Sequence, residues 1–243
     1  MNRNRPVGRL AVVAMLLCLP AAATACSGQE RDWDPVEFGT PRPASTALPI
    51  RVDEDDVMGA ARWPSACRFL TDNEIRALLP QAEEIKRKPT PVSVLSFDEE
   101  QRQHAPEGSC RFEFWLRDVT IKDVTSGVKV SIVGIADPSI ISDHYSEELA
   151  GAKTRSDREP AVDLGASLGP EACYTWRETS KLFPVVVCRQ GPLMYDVSGT
   201  GYGDMAGVPE DDLVAQGESW RDKVLIPVAQ IIATKVPAAG ASG

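Results

Sequence analysis

The chain has 243 residues, of which 26 are lysine or arginine and 35 are aspartate or glutamate, so its formal net charge at pH 7 is −9. This acidic balance argues against nucleic acid as a partner and against direct adsorption to anionic lipid, because both are negatively charged. With only two histidines in the chain, general-base and metal chemistry have few candidate residues.

The first 25 residues have the pattern of a secretory signal peptide. Three arginines precede an apolar run, Leu10 to Leu19, and small residues then lead to Cys26. The run is too short for a membrane-spanning helix, which needs ~20 residues. The small residues before Cys26 resemble the lipobox of bacterial lipoproteins, with Ala23 standing where that family usually has Leu.

The lipobox resemblance implies cleavage before Cys26 and a diacylglyceryl anchor, of the palmitate type, on that cysteine. The protein would then be a lipoprotein on the extracytoplasmic face of the cell membrane, held stably by two or three acyl chains. Ordinary signal cleavage, releasing a soluble protein with a free thiol, is the alternative. Loss of the three leader arginines gives a mature charge of −9 − 3 = −12.

The remaining chain divides into three parts. Residues 26–60 contain several prolines and the acidic cluster 53–56 but no apolar periodicity, which predicts a disordered stalk. The cluster lacks the spaced acidic loop of a calcium site. We expect residues 61–236 to form one extracytoplasmic domain and residues 237–243 a flexible tail.

Cysteine usage also indicates export. Cys18 would be lost with the leader and Cys26 would carry lipid. The four remaining cysteines are Cys67, Cys110, Cys173 and Cys188. An even number outside the reducing cytoplasm predicts two disulfides with three possible connectivities, and the spacings match no zinc site.

The first half of the domain begins with a helix and continues with strands. Thr71 and Glu74 form a capping box for a helix that ends at Pro80. From Cys110 to Arg117 apolar residues alternate, which predicts a strand, and residues 128–132 repeat the pattern as an antiparallel neighbour. Trp115 falls on the face opposite the apolar residues of its strand. We expect it in the core if a helix covers that face, and at a binding surface if the face is open.

The second half alternates in the same way. Asp137 predicts a helix start and Gly151 its end. Strands follow at 172–178, 183–189 and 193–198, and a hairpin centred on residues 180–181 puts Cys173 opposite Cys188. This register favours the pairs Cys67–Cys110 and Cys173–Cys188. A last helix begins near Pro209 and should kink at Pro227. The sum is an α+β domain, an antiparallel sheet packed against about three helices on one face.

The start of the domain resembles an actinobacterial cell-envelope lipoprotein family of unknown function. That family reads Cys-x-Leu-Leu-(Thr/Ser)-x-x-Glu, which Cys67 to Glu74 match in part, and a second cysteine, here Cys110, begins a strand. The resemblance covers about residues 64–235 and implies a lipid-anchored, disulfide-bonded domain. It indicates no catalytic activity and no ligand. The architecture is also similar to extracellular sensor domains of mycobacterial receptor kinases and to a Streptomyces lipoprotein that restrains an envelope-stress sensor kinase.

Candidate catalytic and ligand-binding residues are few. We expect His104 in an exposed loop at 98–108, and His144 with Glu148 one turn later on a helix surface, too few ligands for zinc. The glycine-rich run 199–203 leads into no basic helix start, so we interpret it as a turn and not a phosphate loop. The sequence thus predicts no catalytic, metal-binding or cofactor-binding residue, and we expect no enzyme.

From the predicted location and architecture, we expect a non-catalytic binding or regulatory module of the cell envelope. Its expected partners are the membrane, through Cys26, and another envelope protein such as a sensor kinase in stress signalling. The alternatives are a carrier of small molecules or wall fragments, and an accessory factor of wall metabolism.

Overall fold

The computed structural model describes residues 35–44, 46–50, 52, 57–95, 102–117, 124–166, 168–209 and 211–236. All of them belong to one unit, residues 33–243. The predicted signal peptide, the predicted lipidation site Cys26, the acidic cluster 53–56 and the predicted tail 237–243 lie outside the described residues.

Seven strands form one antiparallel sheet in the order β1-β2-β3-β7-β6-β5-β4. The strands are β1 (Ala82–Leu95), β2 (Arg102–Leu116), β3 (Ser126–Ile135), β4 (Val162–Gly165), β5 (Ala172–Trp176), β6 (Val185–Gln190) and β7 (Leu193–Thr200). Together with the helices, this sheet confirms the predicted α+β class.

Helices cover both faces of the sheet, so the expectation that all would lie on one face is wrong. The helices are α1 (Asp72–Leu78), α2 (Pro138–Thr154), α3 (Leu213–Trp220) and α4 (Ile226–Ala233). The apolar residues of α1, α3 and α4 join one large core, whereas Ile141 and Tyr145 of α2 join a separate core with Tyr174, Val187 and Met194. Because strand side chains alternate between faces, β5 to β7 are apolar on both sides and can pack two layers.

The helix termini follow their sequence signals with two exceptions. The capping box of Thr71 and Glu74 and the cap by Asp137 are confirmed. Helix α2 continues through Gly151 to Thr154, because a glycine inside a helix costs only about 1 kcal/mol. Before Pro227 the chain forms a π-helical turn, Arg221–Leu225, and such a turn accommodates the proline's missing N–H.

The β1–β2 hairpin is longer than the sequence pattern indicates. Strand β1 lies in a segment with no predicted strand, and β2 begins at Arg102, eight residues before Cys110. Most side chains of β1 are exposed on both faces, so no apolar alternation marks the strand. As an edge strand it also tolerates Pro89 and Pro91.

The prediction of a stalk over residues 26–60 is wrong for the described part of that segment. Val36, Leu48 and Ile50 are buried in the large core. The backbone N–H of Gly39 donates to Leu78 (2.8 Å) and that of Leu48 to Lys235 (2.9 Å). Isolated apolar residues joined by prolines carry no periodic signal, but they still bury surface, and the folded unit begins well before residue 61.

Both predicted disulfides are confirmed. Cys67 is bonded to Cys110, with a Cα–Cα distance of 5.0 Å, and Cys173 to Cys188, with 4.1 Å. The second pair lies directly opposite in the β5–β6 register, as the hairpin predicts. Among the described residues, no helix is both long and apolar enough to cross a membrane.

Candidate functional site

The face of the sheet that carries α2 is covered unevenly. Helix α2 packs against β6 and β7, where the sheet presents Val187 and Met194. On β1, β2 and β3 the same face carries charged and hydroxyl side chains. We call this part of the sheet the polar face.

Three cations lie side by side across the polar face. Lys88 of β1 is paired with Arg111 of β2, and Arg111 is paired with Lys129 of β3. All three residues are exposed, and the side chains of Lys88 and Arg111 are 57% and 50% accessible. We call these three residues the basic row. Cβ atoms of directly paired residues are about 5 Å apart, so the row is roughly 10 Å long.

Glu113 is the nearest counter-charge of the basic row. Its carboxylate lies 2.5 Å from the Nζ of Lys88 and 3.3 Å from the Nε of Arg111, and its side chain is only 16% accessible. Lys86, which is paired with Glu113 across the strands, is a fourth exposed cation, and its Nζ lies 3.6 Å from Oε2 of Glu84. The row and its surroundings thus keep a positive balance in a chain that is acidic as a whole.

Trp115 shares the polar face at the end of β2. It is half-buried and belongs to neither hydrophobic core, so of the two expected positions the core is excluded. Between Arg111 and Trp115, Gly127 of β3 lies opposite Glu113. A Cβ at Gly127 would be 3.7 Å from the Nε of Arg111, so the missing side chain leaves space beside the guanidinium.

A second row, of hydroxyl and carboxyl groups, lies next to the basic row. Ser109, Ser131 and Asp196 are paired across β2, β3 and β7. The two serine oxygens are 3.2 Å apart, and Ser131 hydrogen-bonds the carboxyl group of Asp196. Ser109 and Ser131 are almost fully buried, so this polar row offers no accessible nucleophile.

Burial raises the pKa of Asp196 to about 6, although the charge of Lys129 and the hydrogen bond from Ser131 act to lower it. The cause is desolvation, which penalises the charged carboxylate. Near neutral pH the group is ionised and offsets part of the charge of the basic row. At pH 5 it is neutral, and the row is more positive.

The two histidines lie apart from this surface. His104 is exposed on β2, with Nδ1 2.8 Å from the Oγ of Ser93 on β1, so it belongs to a strand and not to the expected loop. His144 is half-buried on α2, and Glu148 is exposed one turn later, as expected. Within the described ranges, no three His, Cys, Asp or Glu residues are grouped to hold a metal ion.

The glycine-rich run 199–203 has a packing role. Gly199 is still part of β7, and a Cβ there would be 2.2 Å from the carbonyl oxygen of Gly127. A Cβ at Gly201 would be 2.2 Å from the ring of the buried Trp220. The glycines therefore allow close approach between segments. Gly199 and Thr200 belong to β7, so the interpretation of the run as a turn is wrong for its first two residues.

A buried ion pair on the other side of the sheet was invisible in the sequence pattern. The Nζ of Lys235 lies 2.7 Å from Oε2 of Glu74, and the side chains are 2% and 1% accessible. Glu74 also accepts hydrogen bonds from the N–H groups of Ala44 and Thr71. Burial acts to raise the pKa of Glu74, but these donors and Lys235 together lower it. The pair joins α1, the N-terminal segment and the C-terminal end, which is a structural role.

An open groove of about 450 Å³ lies beside the N-terminal segment. It is lined by Val36, Phe38, Pro80, Ala206 and the single cation Lys223, among others. The groove is on the opposite side of the sheet from the basic row, since Val36 and Phe38 pack on the large core.

Comparison of the chain with protein-family models, with curated proteins and with solved structures finds no match. The candidate site rests on geometry alone. A prediction of strand β1 would have been the signal for the basic row, because the register of β1 against β2 aligns Lys88 with Arg111.

Proposed function

We propose that this protein is a lipid-anchored extracytoplasmic binding module, without catalytic activity, that acts in the regulation of the cell envelope. The observation that carries the proposal is the polar face, an exposed charged surface on a rigid, disulfide-bonded sheet. Rigid elements hold a binding surface more precisely than loops. The accessible groups there include cations, one aromatic ring, carboxylates and the hydroxyl of Thr90, all of which can bind ligands.

The leader sequence supports the anchor. Cys26 and Pro35 are nine residues apart, so whatever the conformation of the chain between them, it spans at most ~30 Å. Lipid on Cys26 would therefore keep the folded unit close to the membrane surface. This position suits contact with the extracytoplasmic part of a membrane protein, such as a sensor kinase whose stress signalling the module restrains.

The proposal is tested in two steps on the full-length chain expressed in an actinobacterial host. First, membrane fractionation and intact mass compare the wild type with Cys26→Ala. We expect the wild type in membranes, with a mass of residues 26–243 plus lipid and two disulfides, and the variant in the soluble fraction. A soluble, unlipidated wild type would overturn the anchor.

Second, a photo-crosslinking amino acid replaces Thr90, which is exposed on the polar face beside Lys88, or Glu147, which is exposed on α2. We expect a discrete crosslinked product from position 90 and none from position 147. Equal products from both positions, or none from either, would overturn the assignment of binding to the polar face.

The groove beside the N-terminal segment favours a second candidate, a carrier of small molecules or wall fragments. Its volume of about 450 Å³ is in the range of ligand pockets. Phe38→Asp would place a charge in the apolar part of its lining. If the groove carries an apolar ligand, organic extracts of the purified wild type contain a compound that extracts of this variant lack.

A further inference from the structure

The basic row costs stability. Like charges at directly opposed positions of neighbouring strands destabilise a sheet, and the row contains two such pairs, Lys88–Arg111 and Arg111–Lys129. Glu113 offsets the first pair by contacting both of its members, and the ionised carboxylate of Asp196 offsets part of the charge of Lys129 in the second pair. A local arrangement that opposes folding points to a binding role when its groups are exposed.

The shape of the row fits an extended anion. Three cations in a line of roughly 10 Å can contact successive charges of a chain, whereas a single small anion would contact one or two of them. Arginine and lysine are the side chains that bind phosphate best, arginine through its planar fork and lysine as a point charge. Within a Debye length of ~8 Å, the electrostatic attraction of an anion depends on the charges of the row, because the more distant acidic surface is screened by salt.

Trp115 extends the same surface along β2. Arg111 and Trp115 are four residues apart on one strand, so they share a face about 13 Å apart. The absence of a side chain at Gly127 keeps the surface between them low beside Arg111. Because the row runs across the strands, Trp115 lies to one side of Arg111, the middle residue of the row. There the half-buried ring offers an apolar plane to a sugar or polyol unit of an anionic polymer that bends at Arg111.

The arrangement of the cations favours a polymer over the membrane as the source of the anion. Lys88, Arg111 and Lys129 follow one another at directly paired positions of three neighbouring strands. One continuous chain can contact all three, whereas the headgroups of a bilayer belong to separate molecules.

We propose that Lys88, Arg111 and Lys129 bind a phosphodiester-linked polymer of the cell wall, laid across β1, β2 and β3 with Trp115 against one of its uncharged units. This assignment rests on the proposed binding function and names the ligand of the same face. It is compatible with the acidic net charge because only the row, and not the whole surface, contacts the polymer.

The test measures binding of soluble poly(glycerol phosphate) to the purified full-length chain by isothermal titration calorimetry between 50 and 200 mM salt. The variants are Lys88→Gln, Arg111→Gln and Lys129→Gln. The matched control is Lys181→Gln, because Lys181 is also exposed (62%) and ion-paired, to Glu178 at 2.7 Å. Each row variant should lose about fivefold in affinity and up to ~0.7 in the slope of log K against log salt, whereas the control should match the wild type.

Stability separates binding from folding. At pH 5, where Asp196 is neutral, Lys129→Gln removes one like-charge pair without removing an ion pair. Its unfolding midpoint in urea at this pH should equal or exceed that of the wild type, while its affinity falls. Trp115→Leu should weaken binding of poly(glycerol phosphate) more than binding of inorganic polyphosphate, which has no polyol unit. Equal losses for both polymers would overturn the role of Trp115.

Two further probes decide the class of ligand. Vesicles with 30% phosphatidylglycerol test the membrane as the source, and poly(glutamate) tests a carboxylate polymer. Tighter binding to either than to poly(glycerol phosphate), or no binding of poly(glycerol phosphate) at 50 mM salt, overturns the proposal. A crosslinked product at Thr90 together with no polymer binding would overturn this ligand and leave the binding function standing. Loss of both would remove the function as well.

Discussion

At the scale of single residues, Asp196 is the place where charge and burial oppose each other. Its pKa is raised to about 6 in the folded protein, whereas an unfolded aspartate titrates near 3.9. The folded state therefore holds a proton that the unfolded chain has released between these values, and stability falls as the pH rises through this window. From pH 5 to pH 7.5 we expect the wild type to lose about 1 kcal/mol of unfolding free energy through this group.

Asp196→Asn should remove that loss, because an amide keeps the shape and cannot ionise. Urea unfolding at pH 5, 6 and 7.5 measures the difference, and the variant should be more stable than the wild type at pH 7.5. Asp143→Asn, at an exposed position on α2, is the control and should keep the pH dependence of the wild type. The same pH dependence in Asp196→Asn would contradict the assignment.

Substitution by alanine should change the stability of the protein in opposite directions at two glycines. Gly201 leaves no room for a Cβ because the ring of Trp220 would be 2.2 Å away, so Gly201→Ala should destabilise by ~1 to 3 kcal/mol. Gly151 lies inside α2 with nothing within 4 Å of its Cβ position, so Gly151→Ala should stabilise by up to ~1 kcal/mol. Thermal unfolding of both variants checks the signs, and a stabilised Gly201→Ala would show that Trp220 is not held against the backbone.

At the scale of secondary-structure elements, the ion pair of Glu74 and Lys235 connects segments far apart in the sequence. Lys235→Met leaves a buried carboxylate without its cation, so we expect a loss of ~3 to 5 kcal/mol of unfolding free energy. Lys181→Met breaks an exposed ion pair and should cost less than ~1 kcal/mol. Guanidinium unfolding of both variants measures the contrast, and comparable losses would mean that the buried pair is screened by solvent.

Elements with local signals could be predicted from the sequence, and elements defined by distant contacts could not. The capping box at Thr71 and the cap at Asp137 depend on neighbours three residues away or fewer, and both are confirmed. The facing of Cys173 and Cys188 follows from one hairpin register. Strand β1 has few buried residues, so alternation is missing, and only its pairing with β2 makes it a strand.

The candidate site follows the same division. The alternation of β2 predicts that Trp115 lies on the face opposite the core. Its half-buried state, and the presence of Lys88 and Lys129 on the same face, could not be predicted because they depend on pairing across three strands. The side of the sheet on which each helix packs could also not be predicted from the hydrophobic pattern. A single sequence shows which residues of α2 are apolar, but not which side of the sheet receives them.

At the scale of the whole molecule, the folded unit begins well before residue 61, and this shortens the segment between it and Cys26. Residues 36, 48 and 50 belong to the core, so the distance available between the folded unit and Cys26 is short. With the proposed lipid on Cys26, a distance of at most ~30 Å would limit the ligands of the polar face to partners and wall polymer close to the membrane.

The disulfide between Cys67 and Cys110 closes the longer of the two disulfide loops. Its sequence separation is 43, and it ties the segment before α1 to β2. In the chain-entropy account, such a loop contributes about 4 kcal/mol, and the separation of 15 between Cys173 and Cys188 about 3 kcal/mol. Replacing both Cys67 and Cys110 by alanine should therefore lower the melting temperature by ~8 to 16 °C. The corresponding Cys173→Ala and Cys188→Ala double variant should lower it less. Calorimetry under oxidising conditions compares the two, and a larger loss for the second pair would mean that packing around β5 and β6 outweighs loop entropy.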